Sequence, residues 1–194
     1  MAKITKETSY EKGNRLEHEF AEYMKTHLGW KETRVGVHLV GNLNRKGASV
    51  DIVAKRMDKR GKEYAGNGLL FSALCIALGL ISYAIDNEYL LGSSIALLIV
   101  ALMFIVTSVF LNQEHCLVEC KNLSTKAVAS HIDKTLREIN DYKSTGDTEF
   151  KFRHHYFVST NGYVETTLKY AMEKGIVCYV KNGDTFEVEK YWKQ

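Results

Sequence analysis

The chain has 194 residues, of which 45% are hydrophobic and 25% charged, a globular balance that predicts one ordinary domain with a small addition. Its formal net charge of +3 permits a nucleic-acid partner without requiring one. The four cysteines have neither zinc-site spacing nor the pattern of a disulfide framework, so we expect free thiols in a reducing cytosol.

The first predicted element is a helix over residues 12–27, with Gly29 as its stop signal. Glu17 shares the apolar stripe of this helix, so its carboxylate is expected to point inward, where it is costly without a partner. Glu19 falls on the other side and is expected to be solvated. The alternative for Glu17 is a side chain that only flanks the stripe and reaches out to water.

Two strands are predicted next, over residues 30–39 and 49–55, joined by the turn-rich basic segment 41–47. The second strand carries one acid, Asp51, inside an otherwise apolar run. Because Asp is depleted in strands and a buried unpaired carboxylate is costly, Asp51 needs a partner, and a metal ion is a good one. The alternative is an Asp near a turn that caps backbone groups.

Two uncharged apolar runs follow, over residues 69–85 and 90–111, with a short acidic connector between them. The second run is about 22 residues long, or roughly 33 Å as a helix, which is enough to cross a bilayer core. We therefore predict a transmembrane hairpin over residues 63–111. Basic residues precede the first run, so both flanks are expected to face the cytoplasm from the inner membrane. The alternative is a buried helical hairpin of a soluble protein.

The segment 116–121 predicts a short buried strand in which Glu119 and Lys121 leave the same face, because side chains alternate along a strand. A carboxylate beside an ammonium on a rigid strand can hold a divalent metal and stabilise charge on a phosphate. The alternative is an ordinary exposed ion pair on a strand edge.

The remaining segments predict alternating helices and strands. Ser124 or Thr125 is expected to cap a helix that runs to about residue 143. His131 lies on its apolar stripe, where a core or groove histidine is a more ordinary interpretation than a ligand. The later elements are a strand over 150–159, a helix over 163–174, and two strands over 176–180 and 185–188 with a hairpin turn between them.

Without the apolar hairpin, the acids stand on the first helix (Glu17), the second strand (Asp51) and the third strand (Glu119). In this order the chain resembles the restriction-endonuclease-like nucleases, the PD-(D/E)xK superfamily, and most closely their Mrr-type branch. The matching segments are GNRLEHEF at 13–20, GASVDIVA at 47–54 and VECK at 118–121. Two departures are Val50, where these branches commonly have proline, and the hairpin, which is not part of the core fold.

The resemblance implies an α/β fold with a mixed sheet flanked by helices, in two nuclease-like parts, 1–62 and 112–194, interrupted by the hairpin. It also implies metal-dependent hydrolysis of DNA, with restriction of foreign DNA as the expected role. Asp51, Glu119 and the backbone carbonyl of Cys120 would bind Mg²⁺ or Mn²⁺ through hard oxygen ligands, and Glu17 would bind through water or complete a second site. Lys121 would position or help deprotonate the attacking water and offset transition-state charge.

Weaker candidates for phosphate contacts are Arg45, Lys46, His131 and Arg153, each of which has an ordinary surface or packing role as its alternative. The oligomeric state is open, although cutting both DNA strands usually implies a homodimer in this family. A second functional hypothesis is a catalytically inactive nuclease-like module that binds nucleic acid or a protein at the membrane. A third, in which the hairpin itself acts in assembly or transport, is disfavoured because neither span carries an ionisable residue.

Overall fold

The computed structural model describes residues 7–44, 46–85, 87–111, 113–146 and 149–190. For residues 109–111 it describes the backbone alone. The chain folds as two compact units. The first comprises Met1–Arg56 and His115–Gln194, and the second comprises Met57–Glu114. The helices among the described residues are α1 (Ser9–Thr26), α2 (Lys59–Ala84), α3 (Glu88–Leu111), α4 (Ala129–Ser144) and α5 (Glu165–Glu173).

The first unit is built on a six-stranded mixed sheet, in which the strands lie side by side in chain order. The outer pairs β1–β2 and β5–β6 are antiparallel, whereas β3, β4 and β5 run parallel. The predicted α/β class is therefore confirmed. The strands are β1 (Glu32–Leu39), β2 (Ala48–Met57), β3 (Gln113–Lys121), β4 (Phe152–Ser159), β5 (Ile176–Asn182) and β6 (Thr185–Glu189).

Helices cover both faces of this sheet, because neighbouring residues of one strand enter different hydrophobic clusters. On β3, Val118 packs in the cluster that contains Phe20 of α1, whereas Leu117 packs in the cluster that contains Ile139 of α4. Side chains alternate across a strand, so α1 lies on one face and α4 on the other. The next residue on the Leu117 face of β3 is Glu119, which therefore points towards the side of α4.

Helix α1 begins one turn earlier than the sequence predicts. The Thr8 hydroxyl accepts the backbone N–H of Glu11 at 3.2 Å, and the Glu11 carboxylate accepts the backbone N–H of Thr8 at 2.7 Å. This reciprocal capping box satisfies two of the N–H groups that a helix start leaves unpaired. Glu19 is also not simply solvated as predicted, because its half-buried carboxylate accepts a hydrogen bond from Lys181.

Helix α4 begins at Ala129, so the prediction that Ser124 or Thr125 caps it is wrong. The preceding chain is held extended instead, because the N–H of Ala127 donates to the carbonyl of Gly162 at 2.9 Å and the carbonyl of Ala127 accepts from Val164 at 3.1 Å. A helix cannot start until this bridge has ended. His131, for which a core or groove histidine is the more ordinary interpretation, is half-buried and caps the helix, because its ring accepts the backbone N–H of Val128 at 3.3 Å.

The second unit is the pair α2 and α3, both long and apolar enough to cross a membrane, with mean hydropathies of 1.8 and 2.6. Helix α2 starts at Lys59, where the Asp58 carboxylate accepts the N–H of Gly61 at 2.7 Å. Helix α3 starts at Glu88, so the second half of the predicted connector is helical, while Asp86 lies outside the described residues.

The seam between α2 and α3 is made of small residues at seven-residue intervals. Large apolar side chains such as Leu70 and Met103 are instead exposed on the outside of the pair. A repeat of seven keeps one narrow stripe facing the partner helix, and small side chains let the two backbones approach closely. The buried small residues are Gly61, Gly68, Cys75 and Ser82 on α2, and Ser94, Ala101 and Ser108 on α3.

Substituting Gly68 with alanine is expected to loosen this seam by about 1–3 kcal/mol, the usual cost of overpacking. A Cβ at Gly68 would lie 2.7 Å from Cγ1 of Ile105 and 3.2 Å from the carbonyl oxygen of Ala101. The matched control is Gly66→Ala, where a Cβ meets no atom within 4 Å. Unfolding in mixed detergent micelles should show Gly68→Ala less stable than Gly66→Ala. Equal stabilities would contradict the observed packing.

Candidate active site

The site begins with a hydrogen bond between two neighbouring strands. Oδ2 of Asp51 on β2 accepts the backbone N–H of Cys120 on β3 at 2.6 Å. The carboxylate of Asp51 therefore lies beside the segment that carries Glu119 and Lys121. Asp51 does contact a backbone group, as the capping alternative requires, but it does so across the sheet and next to a second acid.

Glu119 and Lys121 do leave the same face of β3, as the strand alternation predicts. The Lys121 ammonium donates to Oε1 of Glu119. This is not an exposed ion pair at an edge, because Glu119 is only 4% exposed and β3 lies between β2 and β4. The other carboxylate oxygen, Oε2, is buried and has no hydrogen-bond partner among the described residues. A buried carboxylate oxygen without a donor is costly, so this atom marks a place suited to a cation or a polar ligand.

Glu17 on α1 belongs to the same electrostatic cluster. Its pKa is raised to about 7, chiefly by burial and also by the negative charges of Asp51 and Glu119, against the lowering effect of Lys121. Glu17 is thus close enough to sense all three groups of the site. The prediction of an inward-facing carboxylate is consistent with this partial burial and its charged neighbours.

The pKa values of Asp51 and Glu119 are raised, like that of Glu17. Burial is the main cause that raises both pKa values; for Glu119 the charge of Asp51 adds to it, and for Asp51 the Cys120 N–H and Lys121 only partly offset it. Burial lowers the pKa of Lys121, but Glu119 and Asp51 outweigh it, so the net pKa is raised. Lys121 is therefore an ammonium at neutral pH. Three carboxyl groups share this one amine, which leaves the cluster short of positive charge.

The chemistry of these donors fits a hard divalent cation with an incomplete protein shell. Asp51, Glu119 and the Cys120 carbonyl offer oxygen ligands of the kind that Mg²⁺ prefers, and the unpartnered Oε2 of Glu119 is the most available of them. Within the part of the chain that the structure describes, no three His, Cys, Asp or Glu side chains are grouped so as to hold an ion by themselves. This is compatible with Mg²⁺, which usually keeps several waters and takes one or two carboxylates.

Helix α4 contributes two charged residues that sequence reasoning missed. The charge of Lys134 lowers the pKa of Asp51, and the charge of Glu138 raises that of Glu119. Lys134 and Glu138 also face each other at 3.9 Å as an i,i+4 pair. In the sequence this spacing indicates only an ordinary surface ion pair. Its relation to the acids depends on how α4 lies over the sheet.

The weaker phosphate-contact candidates are scattered over the first unit. Lys46 is exposed, and its backbone carbonyl accepts a hydrogen bond from the ring of His38 at 2.6 Å. Arg153 is exposed on β4, and His131 is used as the helix cap described above. Arg45 lies outside the described residues. None of these observations places Lys46, Arg153 or His131 at Glu17, Asp51, Glu119 or Lys121, and the phosphate contacts stay a prediction.

Comparison with protein-family models, with curated proteins and with solved structures finds no match.

Glu17 is expected to reduce the thermal stability of the metal-free protein as the pH rises from about 4.5 to 7, whereas His115 and His155, whose pKa values burial lowers (that of His155 to about 4), act in the opposite direction. In this interval the folded chain keeps a proton on Glu17, whose pKa is about 7, while the unfolded chain, at the ordinary value of 4.5, has lost it. The stabilisation that comes from protonated Glu17 is full below pH 4.5 and is lost as the pH rises through 7. Melting followed by circular dichroism in detergent and EDTA gives the slope of melting temperature against pH, to which all of these groups contribute.

The Glu17→Gln variant should make this slope more positive, because glutamine does not titrate and the downward contribution of Glu17 is removed. The contributions of Asp51 and Glu119, whose pKa values are raised like that of Glu17, remain. The control is Glu22→Gln, whose side chain is 65% exposed on the same helix and which should keep the wild-type slope. An unchanged slope in Glu17→Gln would contradict its place in the cluster.

Proposed function

We propose that this chain is a membrane-anchored, metal-dependent endonuclease that hydrolyses DNA phosphodiester bonds on a sheet of the PD-(D/E)xK type. The observation that carries the proposal is the cluster of Glu17, Asp51 and Glu119 around Lys121, with one buried oxygen of Glu119 left without a donor. Three carboxyl groups and one ammonium on a rigid sheet are the kinds of group that phosphodiester hydrolysis with a divalent cation requires.

In this proposal Asp51 and Glu119 hold Mg²⁺ or Mn²⁺, together with the carbonyl of Cys120, and Glu17 acts through water. When bound, the ion supplies Lewis-acid stabilisation of the phosphate and lowers the pKa of water. The raised pKa of Lys121 favours one of its two predicted roles. As an ammonium it donates hydrogen bonds to the attacking water or to a phosphate oxygen and offsets negative charge, whereas a neutral amine would be needed to remove a proton.

The pair α2 and α3 serves, in the same proposal, as the anchor in the inner membrane. Only 17% and 11% of their apolar windows are buried, whereas the core helix of a soluble protein would be mostly buried. Arg56, Lys59, Arg60 and Lys62 cluster at the start of the pair, which favours a cytoplasmic position for both termini and for the nuclease unit. An enzyme held there would meet incoming foreign DNA, consistent with a role in restriction.

The experiment is a cleavage assay on the full chain purified in detergent, with supercoiled and linear DNA and with RNA. We expect nicking or cutting of DNA with Mg²⁺ or Mn²⁺ and none with EDTA. Cleavage that persists in EDTA would contradict a metal-dependent enzyme. The products also report the assembly: cuts in both strands at one place would support a homodimer, and isolated nicks would speak against it.

A second candidate is an inactive module that binds nucleic acid or a protein partner at the membrane. Two observations favour it: Lys121 already engages one oxygen of Glu119, and no three acidic, histidine or cysteine side chains in the described ranges are grouped to hold an ion. This candidate predicts DNA binding without turnover in any metal, and binding that is unchanged by Glu119→Gln. Metal-dependent turnover excludes it.

A further inference from the structure

The turn formed by residues 41–44, between β1 and β2, presents a large apolar side chain to solvent. Leu43 is 92% exposed, so its side chain has almost no packing within the protein. Single exposed leucines are common on protein surfaces and need no explanation by themselves. What distinguishes Leu43 is the way in which its backbone is held. We call residues 41–44 the Leu43 turn.

The Leu43 turn is tied to α4 by a set of hydrogen bonds. The carboxylate of Asp141 accepts the backbone N–H of Leu43 at 2.7 Å and that of Asn44 at 2.9 Å. The side chain of Asn42 donates to the carbonyl of Ser144 at 2.7 Å. These contacts fix the backbone of the turn while they leave the Leu43 side chain outside. A rigid, exposed contact residue loses little conformational entropy on binding, which is the advantage of preorganisation.

Gly41 is required by the same arrangement. A Cβ at this position would lie 2.0 Å from Oδ2 of Asp141 and 2.4 Å from its Cγ. Any larger residue must therefore push the Asp141 carboxylate away from the two N–H groups that it accepts. The carboxylate of Asp141 is the end of a side chain that can move. Such a substitution would therefore release the turn without disturbing the core.

The Leu43 turn lies at the same end of β2 as the acid cluster. Strand β2 begins at Ala48, and Asp51 is three residues further along, or about 10 Å at the rise of a strand. The chain continues into α2 from the opposite end of β2. A ligand whose phosphate lies at Asp51 and Glu119 would thus extend past this turn.

We propose that Leu43 is a wedge that contacts duplex DNA beside the acid cluster and opens a base step. The inference rests on the proposed function and adds a substrate contact to it. Proteins that bend DNA insert leucine and similar apolar side chains between base pairs, at the cost of partial unstacking. The turn lies at the end of β2 that is nearer to Asp51, where the proposed function places the DNA phosphate, and this favours DNA as the partner.

The test uses the full chain in lipid nanodiscs, without divalent metal so that no cleavage occurs. The probe is a duplex in which 2-aminopurine replaces adenine at successive positions. Wild-type protein should increase the fluorescence at one step, and Leu43→Ala should abolish that increase and weaken binding about tenfold. The control is Met172→Ala on α5, a residue that is 58% exposed and should have no effect.

The Gly41→Ala variant separates the rigid backbone from the leucine itself. It keeps Leu43 but displaces Asp141, so it too should lose the fluorescence increase while its melting temperature stays close to that of the wild type. Equal fluorescence and affinity for wild type and Leu43→Ala would overturn the wedge and leave the nuclease proposal standing. Failure of the wild type to bind any duplex would also overturn the wedge, whereas the nuclease proposal is decided by the cleavage assay with Mg²⁺ or Mn²⁺. If Leu43→Ala weakens binding to phospholipid vesicles and not to duplex, the turn is a lipid contact and the wedge is wrong.

Discussion

Replacing Lys121 with alanine is expected to reduce metal-dependent DNA cleavage by about 10²–10³-fold, the usual cost of removing one electrostatic stabiliser from an active site. The ammonium of Lys121 is the one positive side chain that bonds to the acid cluster among the described residues. Its loss removes the charge that offsets the phosphate in the transition state. Single-turnover rates at saturating Mn²⁺ would measure this effect directly.

The same variant leaves Glu119 buried without its partner, so a loss of folding must be distinguished from a loss of chemistry. Removing one member of a buried ion pair costs about 3–5 kcal/mol when the other stays charged. The double variant Glu119→Gln with Lys121→Met removes both charges and should restore stability without restoring cleavage. The control is Lys126→Ala, an exposed lysine in the following loop, which should cleave at the wild-type rate. Full activity in Lys121→Ala would exclude the proposed site.

The full chain is expected to stay in the membrane fraction after extraction with alkaline carbonate. Replacing residues 59–111 with a short glycine–serine turn should move it entirely into the soluble fraction. The reason is that, among the side chains that the structure describes, α2 and α3 place most of the large apolar ones on the outside of the pair, where water would be very unfavourable. An unrelated membrane hairpin inserted at the same place is the control and should restore the membrane fraction.

The orientation of the pair in the membrane can be tested in intact cells. Asn87→Cys places a thiol in the connector between α2 and α3, and Lys126→Cys places one on the surface of the first unit. In intact cells a membrane-impermeant maleimide should label the first variant and not the second. The four native cysteines are buried and provide little background. Release of the full chain by carbonate, or labelling of Lys126→Cys in intact cells, would contradict the proposed anchor or its orientation.

The order and type of the elements follow from local patterns in the sequence, because most strands and helices have an apolar period and α2 and α3 are long uncharged apolar runs. The boundaries depend on individual hydrogen bonds. The start of α1 was recognisable, since Thr8 and Glu11 have the spacing of a capping box. The start of α4 was not, because the bridge between Ala127 and Tyr163 joins segments that no local window includes. Two good capping residues, Ser124 and Thr125, were therefore misleading.

The candidate site was likewise predictable from the sequence only in part. Strand alternation was sufficient to place Glu119 and Lys121 on one face, and a buried acid in an apolar strand was sufficient to single out Asp51. The hydrogen bond that joins Asp51 to Cys120 spans 69 residues of sequence, and the bond from Leu43 to Asp141 spans 98. Such contacts appear only when the sheet and α4 are assembled. For the same reason the sequence did not indicate that the charges of Lys134 and Glu138 shift the pKa values of Asp51 and Glu119.

The insertion of α2 and α3 between neighbouring strands also sets the order of events during synthesis. Strand β2 ends at Met57 and β3 begins at Gln113, so 56 positions separate one strand from its partner in the sheet. A ribosome needs roughly 3–11 seconds for this distance at about 5–20 residues per second. During that time the edge of β2 has no β3 to pair with, and both apolar helices emerge. Under the proposed function, Asp51 meets Glu119 only after the hairpin has been translated, so a nascent chain carries no nuclease activity before its anchor is complete.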